Sequence, residues 1–536
     1  MKQRKFRSRI IYCLLAVLTS GFTSTTVAQV RQVTINPVET FQTIDNFTAS
    51  DAWSSNLVGK YWGEQEKEQI AEWLFSREYD KAGNPKGIGL SLWRVYLGAG
   101  TWEQDNPDIM PWHRRAESFL TVDGKNYDWG KCAGQRYFMK KAKEHGCNNF
   151  LLFSNSPPVQ YTLNGRGYAS NTYSANIKPD CYDKFADYLA EVATHFMGEG
   201  FHVSYVSPIN EPQVEWNTPR QEGSSWKKSE MKKMYVSLDK ALSVRPSLSS
   251  VKIMVGECSD IPVLFQENAN LAKRFEGNEE APHKIIQAFF DKQSPHYIGD
   301  LKHVPQMAGG HTYHNHTKNK DMLEVRAKVK DECEKYGIAY QQTEWCLLPD
   351  YSLPMDGFTD DWQKGTRTDI QVGLLMGRLI YTDLVHSGAE AWGYWKCTEL
   401  KGEHSLIGLH VTDGNIFNGG TVSTNKLLWA LGNYSLFIQP GYKRICSEGA
   451  NDLDKLVSSA YIAPDQSRIV IVFVNSGFEN EQVAIQLPKA YSRKVKRTTV
   501  YRTDKRSDLT NVSVSDKLND DYLIYSRSLT TVVLDF

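Results

Sequence analysis

The chain carries no excess of either charge: 62 Lys and Arg residues stand against 62 Asp and Glu among 536. Nucleic acid and anionic membrane surfaces attract proteins through a cationic excess or stripe, and none is visible, so nucleic acid is not an expected partner. Long apolar runs are also missing. The longest near the start, residues 10–18, is too short to cross a bilayer, so no membrane span is expected. The nine cysteines include no CxxC pair, no HExxH signature occurs, and no internal repeat, low-complexity tract or charge block stands out. What is present is a globular composition, 41% hydrophobic and 23% charged, which excludes disorder on a large scale. Aromatic residues reach 12%, with 14 Trp and 27 Tyr, as expected of a large core or of a surface that stacks on flat ligands.

Residues 1–28 read as a secretory signal. Lys2, Arg4, Lys5, Arg7 and Arg9 precede the short apolar run, and Thr26-Val27-Ala28 offers small residues for cleavage. The expectation is an exported protein, periplasmic, cell-surface or extracellular, whose mature chain begins near Gln29. Cys13 belongs to the leader. The other eight cysteines, at 132, 147, 181, 258, 333, 346, 397 and 446, are widely and irregularly spaced and are expected to be free and buried.

From residue 43 to 424 short apolar runs alternate with helix-like stretches, the pattern of βα units around a parallel sheet. Eight strands are expected, at 43–49, 90–97, 149–153, 202–207, 251–256, 308–313, 338–343 and 391–395. Amphipathic segments such as 64–75, 182–197, 227–243, 322–336 and 369–386 lie between them. The count predicts a (β/α)8 barrel. Residues 425–536 change texture: a last barrel helix over 426–438, then alternating β-branched strands at 456–462, 468–474, 482–486, 497–502, 522–525 and 529–534, read as a β-sandwich. Residues 29–42 contain a strand-like Gln32-Val33-Thr34-Ile35 that is expected to join it. The chain is expected to be a monomer.

In such a barrel catalytic groups sit at the C-terminal ends of strands, where the βα loops build one face. Glu211 ends the fourth strand, in Ser207-Pro208-Ile209-Asn210-Glu211-Pro212, and Glu344 ends the seventh, in Gln341-Gln342-Thr343-Glu344-Trp345. Two carboxyls facing each other across a barrel mouth suit a retaining glycosidase, which needs one protonated carboxyl and one carboxylate about 5–5.5 Å apart.

Asn-Glu-Pro at the end of strand four with a second Glu at the end of strand seven resembles the retaining glycoside hydrolases of clan A. Family 30 is resembled in detail, through Ile44-Asp45-Asn46-Phe47-Thr48-Ala49-Ser50-Asp51-Ala52-Trp53, Leu92-Trp93-Arg94-Val95, Ser154-Asn155-Ser156-Pro157-Pro158, His311-Thr312-Tyr313, Trp392-Gly393-Tyr394-Trp395 and the segment from Leu431 to Gly441. The resemblance covers nearly all of the mature chain. It implies Glu211 as acid/base, Glu344 as nucleophile, Asn210 on the sugar 2-hydroxyl, Tyr313 hydrogen-bonded to Glu344, Arg94 supporting the carboxylates, Trp395 as the floor under the reacting sugar, and Asp51 on outer hydroxyls. His311 is expected as a substrate or supporting residue and Trp345 as an aromatic platform. One departure is visible: family members that split glucosylceramide carry a Trp where Ser154 stands, so a wall of the glucose pocket is missing.

The start from Asp45 to Trp53 and the extension from Trp93 to Gly100 resemble the endo-β-1,6-galactanase-like branch. The expected substrate is accordingly an oligo- or polysaccharide, with a β-1,6-glucanase and an exo-acting β-glycosidase, glucosylceramidase- or xylosidase-like, as alternatives. Two readings from other classes compete. His311, His314 and His316 could ligate zinc in a hydrolase, although alternating residues beyond a strand end point in different directions. A non-catalytic carbohydrate-binding protein would keep the aromatic residues and have no use for opposed carboxyls. The expectation is an enzyme without metal or organic cofactor.

Overall fold

The computed structural model describes residues 30–104, 110–170, 173–275, 279–348, 356, 370–400 and 405–536. The leader expected over 1–28 lies outside the described residues.

The barrel strands are Asn46–Ser50, Leu92–Tyr96, Phe150–Phe153, Val203–Ser207, a fifth in two pieces (Lys252–Ile253 and Gly256–Cys258), Met307–His311, Ala339–Glu344 and Ala391–Leu400. Neighbours in this order pair in parallel, and strand eight returns to strand one with Trp392 opposite Phe47, so the sheet closes on itself apart from the break within strand five. Strand three, Phe-Leu-Leu-Phe, is buried at every position. A parallel sheet covered on both faces demands such continuous apolar runs.

The helices supply that cover. Glu64–Phe75 buries Ile70, Ala71, Leu74 and Phe75, one stripe at helical spacing, and leaves its charged face to water. Asn319–Tyr336 ends where Gly337 takes a left-handed φ of 64° and its N–H reaches back to the last carbonyls. Ile370–Val385 is buried nearly all round, because it packs on strand eight and also on the C-terminal sheet. Among the described residues no helix is long and apolar enough to cross a membrane.

After strand eight comes a feature with no counterpart in the sequence reading. A hairpin, Ser405–Val411 and Gly420–Thr424, adds to the edge of strand eight, with Ser405–Val411 running parallel to it. The last barrel helix, Lys426–Ser435, then starts at Asn425, whose side chain accepts from the N–H groups of Leu427 and Leu428.

The C-terminal β region is one nine-stranded sheet that curls on itself. Its order runs Thr510–Ser515, Arg497–Thr503, Ser528–Asp535, Arg468–Asn475, Leu456–Ile462, Lys443–Glu448, Arg31–Thr43, Glu481–Gln486, Tyr522–Ile524. Strands from both ends share one apolar core, in which Val483 and Ile524 join Ile471, Phe473 and Val532. The N-terminal strand Arg31–Thr43 is inserted between two C-terminal strands, antiparallel to Lys443–Glu448 and parallel to Glu481–Gln486. Asn433 fastens the last helix to this sheet: its fully buried amide donates to Thr503 Oγ1 at 2.7 Å and accepts from Thr531 Oγ1 at 3.0 Å.

Candidate active site

Glu211, Glu344 and His311 converge at the barrel mouth, with one ligating atom of each within 4.8 Å of the others. The separation of the two carboxyls therefore falls on the retaining side of the ranges that distinguish glycosidase mechanisms, about 5–5.5 Å against about 6.5–9.5 Å.

Arg94, fully buried on strand two, organises this centre. Its Nη1 donates to Glu344 Oε2 at 2.5 Å, its Nη2 to Glu257 Oε2 at 2.9 Å and to Asn210 Oδ1 at 3.4 Å. The guanidinium also lies 3.8 Å over the Phe153 ring and 5.7 Å from the Trp395 ring. A planar five-donor cation is suited to hold two carboxylates and an amide at fixed angles. Tyr313 completes the shell of Glu344 by donating from its hydroxyl to Oε1 at 3.1 Å.

His311 lies between three carboxyls, with Nδ1 2.9 Å from Glu211 Oε1 and 3.5 Å from Glu344 Oε1, and Nε2 3.1 Å from Glu257 Oε2. Burial pulls the imidazole pKa down, but Glu344, Glu211 and Glu257 more than reverse this and lift it to about 10. At neutral pH it is an imidazolium that donates from both nitrogens. Burial works against an ionised Glu257 too, yet Arg94 and His311 hold its carboxyl below the ordinary carboxylate value. For Glu344 burial pushes the pKa up and Glu211 adds to it, with His311 and Arg94 opposing, so the net direction is upward.

A pH dependence follows. His311 has its folded pKa raised above the ordinary value near 6.5, so its stabilisation is complete below that pH and is lost as pH rises toward 10. His311→Asn should destabilise the protein at pH 6 by on the order of a few kcal/mol, seen as a lower melting temperature. That deficit should shrink steadily by pH 10, and thermal denaturation of both proteins across this range checks it.

Backbone strain gathers here. Glu211 (φ 45°), Glu257 (φ 50°), Trp216 (φ 48°) and Trp53 (φ 60°) all occupy the left-handed region, which side-chain-bearing residues rarely adopt and which clusters at functional sites. The N–H of Glu211 donates to the Glu257 carbonyl at 2.8 Å, so the strained ends of strands four and five support each other. Gly393 on strand eight meets strand seven so closely that an added Cβ would lie 2.3 Å from the Thr343 carbonyl oxygen, one residue before Glu344. Only hydrogen fits there.

Two residues expected to meet sugar are placed elsewhere. Asp51 is fully buried and takes hydrogen bonds from the Tyr96 N–H at 2.8 Å and from Gln135 Nε2 at 3.0 Å. It ties the ends of strands one and two to helix Ala133–Glu144, and burial lifts its pKa to about 7. Trp345 is also fully buried, its ring packed against Trp392, Tyr394 and His316. Successive residues of a strand point to opposite faces, so with Glu344 turned into the mouth Trp345 must turn into the outer layer. Among the described residues the three histidines form no ligand cluster: His311 groups with Glu211 and Glu344, whereas His314 and His316 line a separate cavity of about 260 Å³ with Pro262 and Phe265.

Trp395 is 7% exposed and meets Trp53 and Phe153 edge-on, at 5.3 and 6.0 Å. Ser154 uses its hydroxyl on the Ser156 carbonyl at 2.7 Å. Three partners of the centre escaped the sequence reading. Glu257 directly follows the run 251–256 read as the fifth strand, a positional signal that was available, and the structure places it in that strand's second piece, Gly256–Cys258. Glu222, fully buried, takes hydrogen bonds from the Tyr96 hydroxyl at 2.5 Å, the Ala99 N–H at 2.8 Å and Thr101, fastening the loop after strand four to the loop after strand two. Trp216 donates from its indole to the Glu211 carbonyl at 3.1 Å. The surrounding sequence of these last two reads as plain loop.

Comparison with known proteins agrees with this geometry. A family model described as O-glycosyl hydrolase family 30 matches residues 30–401. An endo-β-1,6-galactanase of Hypocrea rufa is 26% identical over 261 residues, 45% of this chain and 53% of that protein, so the match spans about half of the relative's length. An exo-β-1,6-galactobiohydrolase of Bifidobacterium longum subsp. longum is 26% identical over 195 residues, 31% of this chain and 13% of that protein. Among solved structures, a conserved exported protein of Bacteroides fragilis superimposes with a TM-score of 0.84 at 32% identity, covering 94% of this chain and all of the other.

Proposed function

Because the chain belongs to glycoside hydrolase family 30, and is therefore an O-glycosyl hydrolase, we propose that it is an exported, retaining endo-β-1,6-galactanase-like enzyme that acts on polysaccharide. The observation that carries the mechanism is the approach of a Glu211 oxygen and a Glu344 oxygen within 4.8 Å, which leaves no room for a water between nucleophile and anomeric carbon.

The roles follow from the hydrogen bonds. His311 donates to Oε1 of Glu211, which leaves Oε2 to carry the proton given to the departing oxygen. Glu344 is held by Arg94 and Tyr313 and attacks C1; the glycosyl ester is then hydrolysed by water that Glu211 deprotonates. Arg94 fixes the carbonyl oxygen of Asn210 and leaves its NH2 group for the sugar 2-hydroxyl, a contact that strengthens in the transition state. Trp395 supplies the floor. The positive charge that steadies the reacting carboxylates comes from Arg94 and His311.

For the substrate, the two galactan-acting relatives support a β-1,6-linked galactose chain, and Ser154 in place of a Trp speaks against the glucose pocket of the ceramide-splitting members. Export is supported by the leader-like residues 1–28 and by the exported Bacteroides fragilis protein. The test is hydrolysis of β-1,6-galactan, β-1,6-glucan and xylan side by side, with products followed over time. Galacto-oligosaccharides should form first and fastest. Faster release of glucose or xylose oligomers would overturn the assignment of linkage and sugar.

A further inference from the structure

Outside the carboxylate centre, four aromatic rings form one connected surface. Phe417 is its hub, with ring centroids 5.1 Å from Tyr61, 5.7 Å from Trp112 and 6.3 Å from Trp102. Tyr61, Trp112 and Phe417 are 41%, 39% and 37% exposed. Single exposed aromatics are ordinary, whereas a contiguous group marks a binding surface. Its origin in the chain is informative. Tyr61 follows strand one, Trp102 and Trp112 follow strand two, and Phe417 lies at the tip of the hairpin after strand eight. Strands eight, one and two are neighbours, so the rings rise above one sector of the face that bears Glu211 and Glu344.

A line of contacts leads from the reaction centre toward this surface. Arg114, two residues beyond Trp112, lays its guanidinium 4.0 Å over the Trp53 ring, and Trp53 meets Trp395 edge-on at 5.3 Å. Trp53 is 5% exposed, and its indole N–H has no hydrogen-bond acceptor among the described residues. Trp395 in turn faces the guanidinium of Arg94, which holds Glu344. Rings and cations thus run outward from the nucleophile through Arg94, Trp395, Trp53 and Arg114, which stands two residues from Trp112 in the chain.

We infer that this surface binds the glycone side of a polysaccharide chain, in subsites beyond the reacting sugar; the inference rests on the glycosidase reading above. A pyranose ring presents an apolar C–H face that stacks on aromatic rings and hydroxyls that take hydrogen bonds from neighbouring donors. Both are offered here, the rings by Tyr61, Trp112 and Phe417 and the donors by Arg114 and Lys60, whose ammonium lies 5.6 Å from the Tyr61 ring. Direction follows from the barrel. Glu211, which protonates the leaving oxygen, is on strand four, so the leaving group departs over strands four and five. Strands eight, one and two lie across the mouth and take the sugars on the other side of the broken bond. The products of a polymer should then be oligosaccharides rather than single sugars.

The double variant Trp112→Ala/Phe417→Ala tests this, since two exposed rings can be removed without touching the core. The substrates are whichever of β-1,6-galactan, β-1,6-glucan and xylan the wild type hydrolyses, and the 4-nitrophenyl β-glycoside of the same sugar. On the polymer kcat/KM should fall about tenfold or more, mostly through KM, while the nitrophenyl glycoside is turned over as before. An unchanged polymer rate, or equal losses on both substrates, overturns the platform. If the wild type cleaves a different polymer, the galactan assignment fails and the platform is judged on that polymer. Turnover of nitrophenyl glycosides with no polymer cleaved overturns both.

Discussion

Glu344→Gln should lower kcat about 10⁴-fold or more on every substrate while leaving the fold intact, because an amide of the same shape cannot form the glycosyl ester. The amide keeps one carbonyl oxygen for Arg94 at the Oε2 position and turns its NH2 toward Tyr313, whose hydroxyl can accept it, while Arg94 and His311 lose one balancing carboxylate. The fold should therefore persist with a modest loss of stability. Glu211→Gln should behave differently. Its loss should reach about 10²–10⁴-fold on natural glycosides, where the departing oxygen must be protonated, and be much smaller in the bond-breaking step of a nitrophenyl glycoside, which leaves unaided. Steady-state kinetics on a polysaccharide and on an activated aryl glycoside separate the two roles. Full activity of either variant on polysaccharide would remove its Glu from the mechanism.

The second large effect is on stability. Arg94→Met should destabilise the protein by about 3–5 kcal/mol, because it leaves Glu257 and Glu344 as buried carboxylates with only His311 to balance them. Breaking a buried pair on one side costs more than the pair contributes in place, since the stranded charge keeps its desolvation penalty. The double variant Arg94→Met/Glu257→Gln should recover part of the loss, as it removes the stranded charge as well. Thermal or denaturant unfolding of the three proteins measures this. A single variant as stable as wild type would show that Arg94 does not neutralise the centre.

The barrel was readable because parallel strands covered on both faces favour apolar runs, plainest in Phe150–Phe153, and because the more polar runs recurred at regular intervals between helix-like stretches. Glu211 and Glu344 were readable for a related reason: a polar residue at the end of such a run must lie at the barrel rim. Glu257 met the same criterion. What gives it meaning is Arg94, which joins strands two, five and seven through a tertiary contact that spacing does not encode. Asp51 and Trp345 mark the limit on the other side. Each is adjacent to a rim position, and one step along a strand turns a side chain from the mouth into the layer of helices. The hairpin after strand eight escaped because the place of Ser405–Val411 is set by the edge of strand eight, a partner formed only in the fold. The aromatic surface escaped with it, since Phe417 reaches Tyr61 and Trp112 across more than 300 residues of chain.

In the proposed mechanism Glu344 attacks the sugar directly. Two successive inversions at C1 then restore the starting configuration, so the first product of a β-linked substrate must be the β anomer. Proton NMR of the anomeric signals, recorded at high enzyme concentration before mutarotation sets in, reads this without any assumption about linkage or chain length. The β signal should appear first, with the α signal growing only at the rate of mutarotation. An α anomer at the outset would mean that Glu344 activates a water instead, and would contradict this mechanism.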